Sequence, residues 1–263
     1  MKIKDLFNLK KNTAIVTGGA GHLGSTISEA LAEAGADVYI VSRNESKCKE
    51  LAKHLEDITG SKVRGVKLDI TSLNSIKKCF NNIVQDSGKI DILVNNASFT
   101  PNGTLEGMSE KNWIKGIDGT INCVFRTMQT VIPIMRSHKH GSIINITSMY
   151  GMVSPNPEIY GNERFGNPPN YGAGKAAVIQ LSRYAAIHLA KTGIRVNSLS
   201  LGPFPRPEVQ KDKWFIANLE KKTPLGRIGK PHEIKGIIVF LASEASSYVT
   251  GSNIVVDGGW TAW

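Results

Sequence analysis

Cysteine is scarce, long apolar runs are missing, and no block of one charge stands out. The 263 residues contain three cysteines, Cys48, Cys79 and Cys123, widely spaced and without a C-x-x-C pair. An odd, scattered set argues against a disulfide framework and for reduced thiols in a reducing compartment. Six histidines include no H-E-x-x-H, and His138 and His140 fall in the polar stretch RSHKHG, so no metal site is expected. No segment approaches the ~18 consecutive apolar residues of a membrane span. The opening MKIKDLFNLKKN has no apolar core followed by a small-residue cleavage site, so a cytoplasmic protein without a signal peptide is expected.

Positive charge is the main imbalance: 32 Lys and Arg against 22 Asp and Glu give a net charge of +10. These residues are scattered through segments such as KKCF and KKTP rather than gathered into an aromatic-interleaved stripe. Solvated surface explains them, and no nucleic-acid partner is expected. Their summed field does favour small anionic ligands such as phosphates.

Apolar runs of strand length alternate with helix-period segments along the whole chain. TAIVTG, DVYIVSR, KVRGVKLDI, IDILVNNAS, GSIINITS, IRVNSLSLG and NIVVDGG read as strands. Helical segments stand between them, including one continuous stretch over 113–135 and another over 171–193. The alternation predicts an α/β fold, a doubly wound parallel sheet in a three-layer α/β/α arrangement. No linker or repeat divides residues 1–263, so a single domain is expected. Two irregular stretches, 149–170 and 203–218, follow predicted strand ends, where such sheets bind ligands, and are read as substrate loops.

Between the first strand and helix, Gly19-Ala20-Gly21-His22-Leu23-Gly24 spells G-x-G-x-x-G. Such a turn needs glycine for its tight bend, for close approach to a pyrophosphate and for helix packing, and it aims a helix N-terminus at the phosphates. His22 either contacts phosphate or serves the turn through its backbone with the ring outward; both readings stand. Cofactor choice should be written about 20 residues further on. There the chain has Ser42-Arg43 and no carboxylate. Arg43 is either a surface arginine or the partner of a 2′-phosphate, and NADP(H) is favoured, with NAD(H) the alternative.

Tyr171 and Lys175 lie four apart at the start of a predicted helix and share one face. A lysine cation near a phenol lowers the phenol's pKa from ~10 toward working pH, which makes a general acid/base for an alcohol oxygen. Ser148, ending INITS, either hydrogen-bonds the substrate oxygen or caps the following turn.

TGGAGHLG, LDI, NNAS, INITS, YGAGK, IRVNSLSLGP and YVTGSNIVVDGGW occur in the order seen in the short-chain dehydrogenase/reductase family. The resemblance spans nearly the whole chain and implies a one-domain Rossmann fold. It also implies hydride transfer between a nicotinamide and a carbonyl/alcohol pair. It assigns Ser148, Tyr171 and Lys175 as the catalytic residues, with Lys175 also holding the nicotinamide ribose. Asp69 and Ile70 would flank the adenine, and Asn96 and Ala97 would border the cofactor. Gly18, Leu23, Gly202 and Phe204 complete the candidate cofactor set. A homodimer or homotetramer built on the long helices is also implied.

The chain departs from the family's single-domain branch in several places. That branch usually has T-G-x-x-x-G-x-G, with glycine where His22 stands. The spacing here is common in the longer branch that epimerises or dehydrates nucleotide sugars, which keeps that activity as an alternative. Length and the VDGGW ending favour the single-domain branch. NNAS replaces NNAG, and Leu201 replaces a proline. Thr120 occupies the place of an asparagine that anchors a proton-relaying water, and Asn122 lies ~200° further around a helix. A catalytically weak, cofactor-binding protein is therefore a third reading.

Ser148 and Tyr171 are further apart than is usual in this branch, and the insert NPEIYGNERFGNPPN is expected over the substrate. Tyr160 in the insert has no lysine four residues on and is not a rival acid/base. Arg164 in the insert and Arg206 beyond the sixth strand, with nearby asparagines, point to a small polar substrate, sugar-like or anionic.

Overall fold

The computed structural model describes residues 1–161 and 166–263. Its strands are β1 Thr13–Thr17, β2 Asp37–Ser42, β3 Val63–Lys67, β4 Ile92–Asn95, β5 Gly141–Ser148, β6 Ile194–Leu201 and β7 Asn253–Val256. All pair in parallel, in the order β3-β2-β1-β4-β5-β6-β7. The expected doubly wound Rossmann sheet is therefore present. Chain order reverses between β1 and β4, which opens a crevice at the carboxyl ends of those strands.

The helices are α1 Ile3–Leu6, α2 His22–Glu33, α3 Glu45–Thr59, α4 Leu73–Ser87, α5 Glu110–Ile117, α6 Cys123–Ser137, α7 Pro169–Leu189, α8 Lys213–Lys222 and α9 Lys235–Ala242. Strand residues divide between the faces with period two. Ala14, Val16, Val38 and Ile40 pack with Ile27 and Leu31 of α2, Leu55 of α3 and Ile238 of α9. Ile15, Tyr39, Val41 and Leu93 pack with Phe80 of α4, Val131 of α6 and Val178 of α7. Both faces are covered, so the central strands are continuous apolar runs rather than alternating ones. Polar residues set helix starts: the Asn44 side chain accepts from the Lys47 amide at 3.0 Å, and Ser72 does the same for Ser75 at 3.2 Å.

Two expectations are corrected, and one helix is added. The helix expected over 113–135 is broken by a π-turn, Asp118–Asn122, between α5 and α6. Its extra residue turns the Gly119 carbonyl toward the loop after β4, where it accepts from the Phe99 amide at 3.1 Å. The stretch 203–218 is not irregular throughout, because α8 begins at Lys213, with the Asp212 carboxylate accepting from the Phe215 amide at 2.9 Å. Lastly, α9 has no counterpart in the sequence reading. Its run GIIVFLA faces apolar neighbours on several sides, and a short all-apolar run carries no helical period to read.

Candidate active site

The crevice is a cleft of about 420 Å³. Its floor is the β1–α2 turn. Gly18 takes φ +62°, a left-handed conformation that favours glycine. Its amide donates to the Val41 carbonyl at 2.7 Å, and its carbonyl accepts from the Gly21 amide at 2.9 Å. A Cβ on Gly24 would collide with that same carbonyl. Gly18, Gly21, His22, Leu23 and Gly24 all line the cleft. Gly19 does not: a Cβ there would meet the Val16 carbonyl and the Ser28 hydroxyl at 2.8 and 2.9 Å, so it serves the packing of α2 on β1.

Position 22 is the first residue of α2 and carries helical backbone, which any L-residue adopts. The unusual glycine spacing therefore leaves the turn intact. No side chain caps α2 at Gly21, so its first amides remain available to an anion. The His22 Nε2 is buried without a hydrogen-bond partner among the described residues.

The ends of β2, β3 and β4 form the next part of the wall. Ser42, Arg43, Asp69 and Ile70 line it. Arg43 is exposed and forms no ion pair among the described residues. The Asp69 carboxylate accepts from the Thr71 amide at 2.9 Å and the Thr71 hydroxyl at 2.8 Å. These bonds, with Arg43 adding attraction, hold its carboxyl below the usual carboxylate range. Asn96 and Ala97 also line the cleft, and their amides donate to the Thr17 hydroxyl at 3.0 and 3.1 Å. The Asn96 side chain donates to the Thr17 and Gly18 carbonyls at 3.1 and 3.2 Å, so it braces the glycine turn from β4.

On the far side, β5 ends at Ser148, which pairs in register with Leu201 of β6. Its Oγ accepts from the Tyr150 amide at 3.2 Å, so the capping role is real. Among the described residues no acceptor takes its hydroxyl proton, which can serve a ligand. Tyr171 sits in the first turn of α7, and the buried Lys175 lies one turn on. The Lys175 Nζ donates to the Ile146 carbonyl at 2.9 Å and stands 5.7 Å from the Tyr171 ring centroid. Ser148, Tyr171, Lys175, Gly202, Phe204 and Arg206 all open onto the cleft.

The sequence model of the enoyl-(acyl carrier protein) reductase family matches residues 18–261. The chain belongs to the short-chain dehydrogenase/reductase family. It is 37% identical to sorbose reductase of Candida albicans, over 98% of this chain and 90% of that one. It is equally identical to a 3-oxoacyl-[acyl-carrier-protein] reductase of Thermotoga maritima, over 95% and 98%. Among solved structures, a gluconate 5-dehydrogenase from Burkholderia cenocepacia in complex with NADP and tartrate is 32% identical. It superposes with a TM-score of 0.91 over 100% of both chains.

The chain is thus an NAD(P)-dependent dehydrogenase/reductase acting between carbonyl and alcohol. The cleft of this dehydrogenase/reductase suits such a dinucleotide: an uncapped helix N-terminus, the orphaned His22 nitrogen and the exposed Arg43 lie along one wall. Thr120, by contrast, lies outside the cleft. It is buried in the π-turn against Gly174, and its hydroxyl donates to the Gly116 carbonyl at 2.8 Å. Asn122 points elsewhere and donates to Asp118 at 3.4 Å. Arg164 lies outside the described residues. Leu68, Thr71, Phe99 and Thr147 line the cleft without having been singled out in the sequence. Their adjacency to Asp69, Ala97 and Ser148 is the one signal that points to them.

Proposed function

We propose that this enzyme uses NADP(H) to interconvert a carbonyl and a secondary alcohol on a small polar substrate, sugar-like or anionic. The convergence of Ser148, Tyr171 and Lys175 on the cleft that also holds the α2 N-terminus carries the reading. The bound nicotinamide would supply or accept the hydride. Tyr171 would give a proton to the substrate oxygen in reduction and take it in oxidation. The Ser148 hydroxyl would donate to the same oxygen and fix its position. Lys175 has three N–H donors and spends one on Ile146. Its remaining donors would hold the nicotinamide ribose. Thr120, outside the cleft with its hydroxyl on the Gly116 carbonyl, would take no part.

The α2 amides and His22 would bind the pyrophosphate, with the glycine turn in close approach. Asp69 and Ile70 would flank the adenine, Asn96 and Ala97 the middle of the dinucleotide, and Gly202 and Phe204 its nicotinamide end. Arg43 supports the phosphorylated cofactor, since its guanidinium is exposed on the wall while the neighbouring carboxylate, Asp69, already accepts both Thr71 donors. Arg206 opens onto the cleft and supports an anionic or polyhydroxylated substrate. The names of the sorbose reductase and gluconate 5-dehydrogenase relatives agree with that class. The stretches 149–170 and 203–218 would cover the substrate in a single-domain enzyme. Exposed Phe125, Tyr184 and Ile187 on the long helices support a homodimer or homotetramer.

The test is NADPH oxidation with L-sorbose and 5-ketogluconate, alongside fluorescence titration of NADPH and NADH. Turnover with NADPH, lost in Tyr171→Phe while NADPH still binds, is expected. Tight cofactor binding with no turnover on polar carbonyls would overturn the reading, and preference for NADH would overturn the role of Arg43.

A further inference from the structure

Tyr160 belongs to the insert between Ser148 and Tyr171 and is buried. Its hydroxyl lies 2.8 Å from that of Tyr150, also buried, and accepts from the Asn167 side-chain amide at 3.0 Å. The Tyr160 ring packs on Phe215 of α8 with centroids 5.5 Å apart, and Tyr150 meets Trp260 edge-on at 6.4 Å. Tyr171 packs against this same aromatic cluster. Burial pushes both phenols above the ordinary tyrosine range, so both stay neutral and keep their protons.

Through its backbone Tyr150 touches Ser148 and the residue that follows Tyr171. Its amide donates to the Ser148 Oγ at 3.2 Å. Its carbonyl lies so close to α7 that a Cβ on Gly172, the residue after Tyr171, would stand 2.9 Å away. The Tyr150 backbone is therefore wedged between the end of β5 and the first turn of α7, and a shift of the residue as a whole moves one against the other. Apolar packing resists separation of the rings but sets their rotation weakly. Two directional hydrogen bonds to one hydroxyl set it firmly.

We propose that Tyr160 is a positioning residue: with Tyr150 and Asn167 it forms a hydrogen-bonded buckle that fixes Ser148 and Tyr171 relative to each other. The inference rests on Tyr171 being the acid/base and goes beyond it. The insert then has a catalytic use besides covering the substrate, since it supplies two of the three groups that hold the pair in register.

Tyr160→Phe keeps the ring and removes the hydroxyl. The expected result is a fall in kcat of about tenfold or more, with KM and the NADPH Kd each within about twofold. The solvent deuterium isotope effect on kcat should rise as proton transfer becomes slower. Tyr150→Phe removes one of the two bonds to the Tyr160 hydroxyl and should lower kcat in the same direction by a smaller factor, and the double variant should be no worse than Tyr160→Phe, which already loses both. Additive losses, or a Tyr160→Phe kcat within about twofold of wild type while Tyr171→Phe is inactive, would overturn the buckle alone. Activity retained in Tyr171→Phe would overturn the acid/base assignment and the buckle with it. Should Tyr160→Phe melt far below wild type, Asn167→Ala makes the same test from the partly buried end. A lower kcat there supports the buckle, and an unchanged kcat overturns it.

Discussion

At one end of the cleft, the candidate ligands sit within a few residues of a strand terminus, whereas the aromatic cluster behind Tyr171 at the other end is gathered from distant parts of the chain. Gly18, Arg43, Asp69 and Asn96 follow β1, β2, β3 and β4 almost at once. Tyr150, Tyr160, Phe215 and Trp260 meet only because the insert, α8 and the C-terminal segment fold onto one another. A strand end is placed by the sheet's own hydrogen-bond ladder, so its short turn inherits a fixed position. A long insert has no ladder and must be placed by its own packing and polar contacts. The first design leaves a local signature in the sequence, and the second does not.

Five substitutions break or sharpen that contrast. The largest effect is expected from Tyr171→Phe, at the junction of the two ends. Turnover should fall by about 10²- to 10⁴-fold with NADPH binding retained, as read by stopped-flow rates and fluorescence titration. Gly24→Ala should follow, since its Cβ would meet the Gly18 carbonyl and reshape the turn. The NADPH Kd is expected to rise at least about tenfold, because the α2 amides no longer sit square to an anion. Arg43→Gln should weaken NADPH by about 10- to 100-fold and NADH hardly at all, the worth of a charge-assisted hydrogen bond. Comparing the two titrations isolates the adenosine end.

Arg206→Ala should act on the other end. KM for 5-ketogluconate should rise about five- to tenfold, with L-sorbose and both cofactors unaffected. The smallest effect belongs to Glu233, which brackets the segment beneath Phe204. It pairs with Arg227 at 2.6 Å, and its carboxyl is lowered from 4.5 to about 2, chiefly by that hydrogen bond. A depressed folded-state pKa stabilises the protein above pH 4.5, and that contribution is lost as pH falls toward 2. Both side chains are substantially exposed, so Glu233→Gln should cost under ~1 kcal/mol at neutral pH. Thermal melts should show the cost shrinking in high salt and vanishing in acid.

Legibility in the sequence followed the same division. The strands were readable because buried parallel strands are continuous apolar runs between turn residues. Ser148, Tyr171 and Lys175 were readable because their spacing repeats a family pattern, and the structure brings all three to one cleft. The π-turn was hidden, since 113–135 keeps one unbroken helical period while the structure inserts a residue to serve Phe99. Helix α9 was hidden because an all-apolar run has no face to distinguish. Tyr160 was visible but had no evident use, as its partners lie outside any local pattern.

The sequence by itself determined the sheet, the glycine turn and the spacing of Tyr171 and Lys175, since each depends on neighbours a few residues away. Only the tertiary structure decided that His22 starts a helix rather than distorting the turn. It alone made Asn96 a brace for that turn and set two buried phenols oxygen to oxygen behind Tyr171. Those outcomes depend on which surfaces meet when the helices close over the sheet. Side chains distant in sequence then share one dry space, where each polar atom needs a partner.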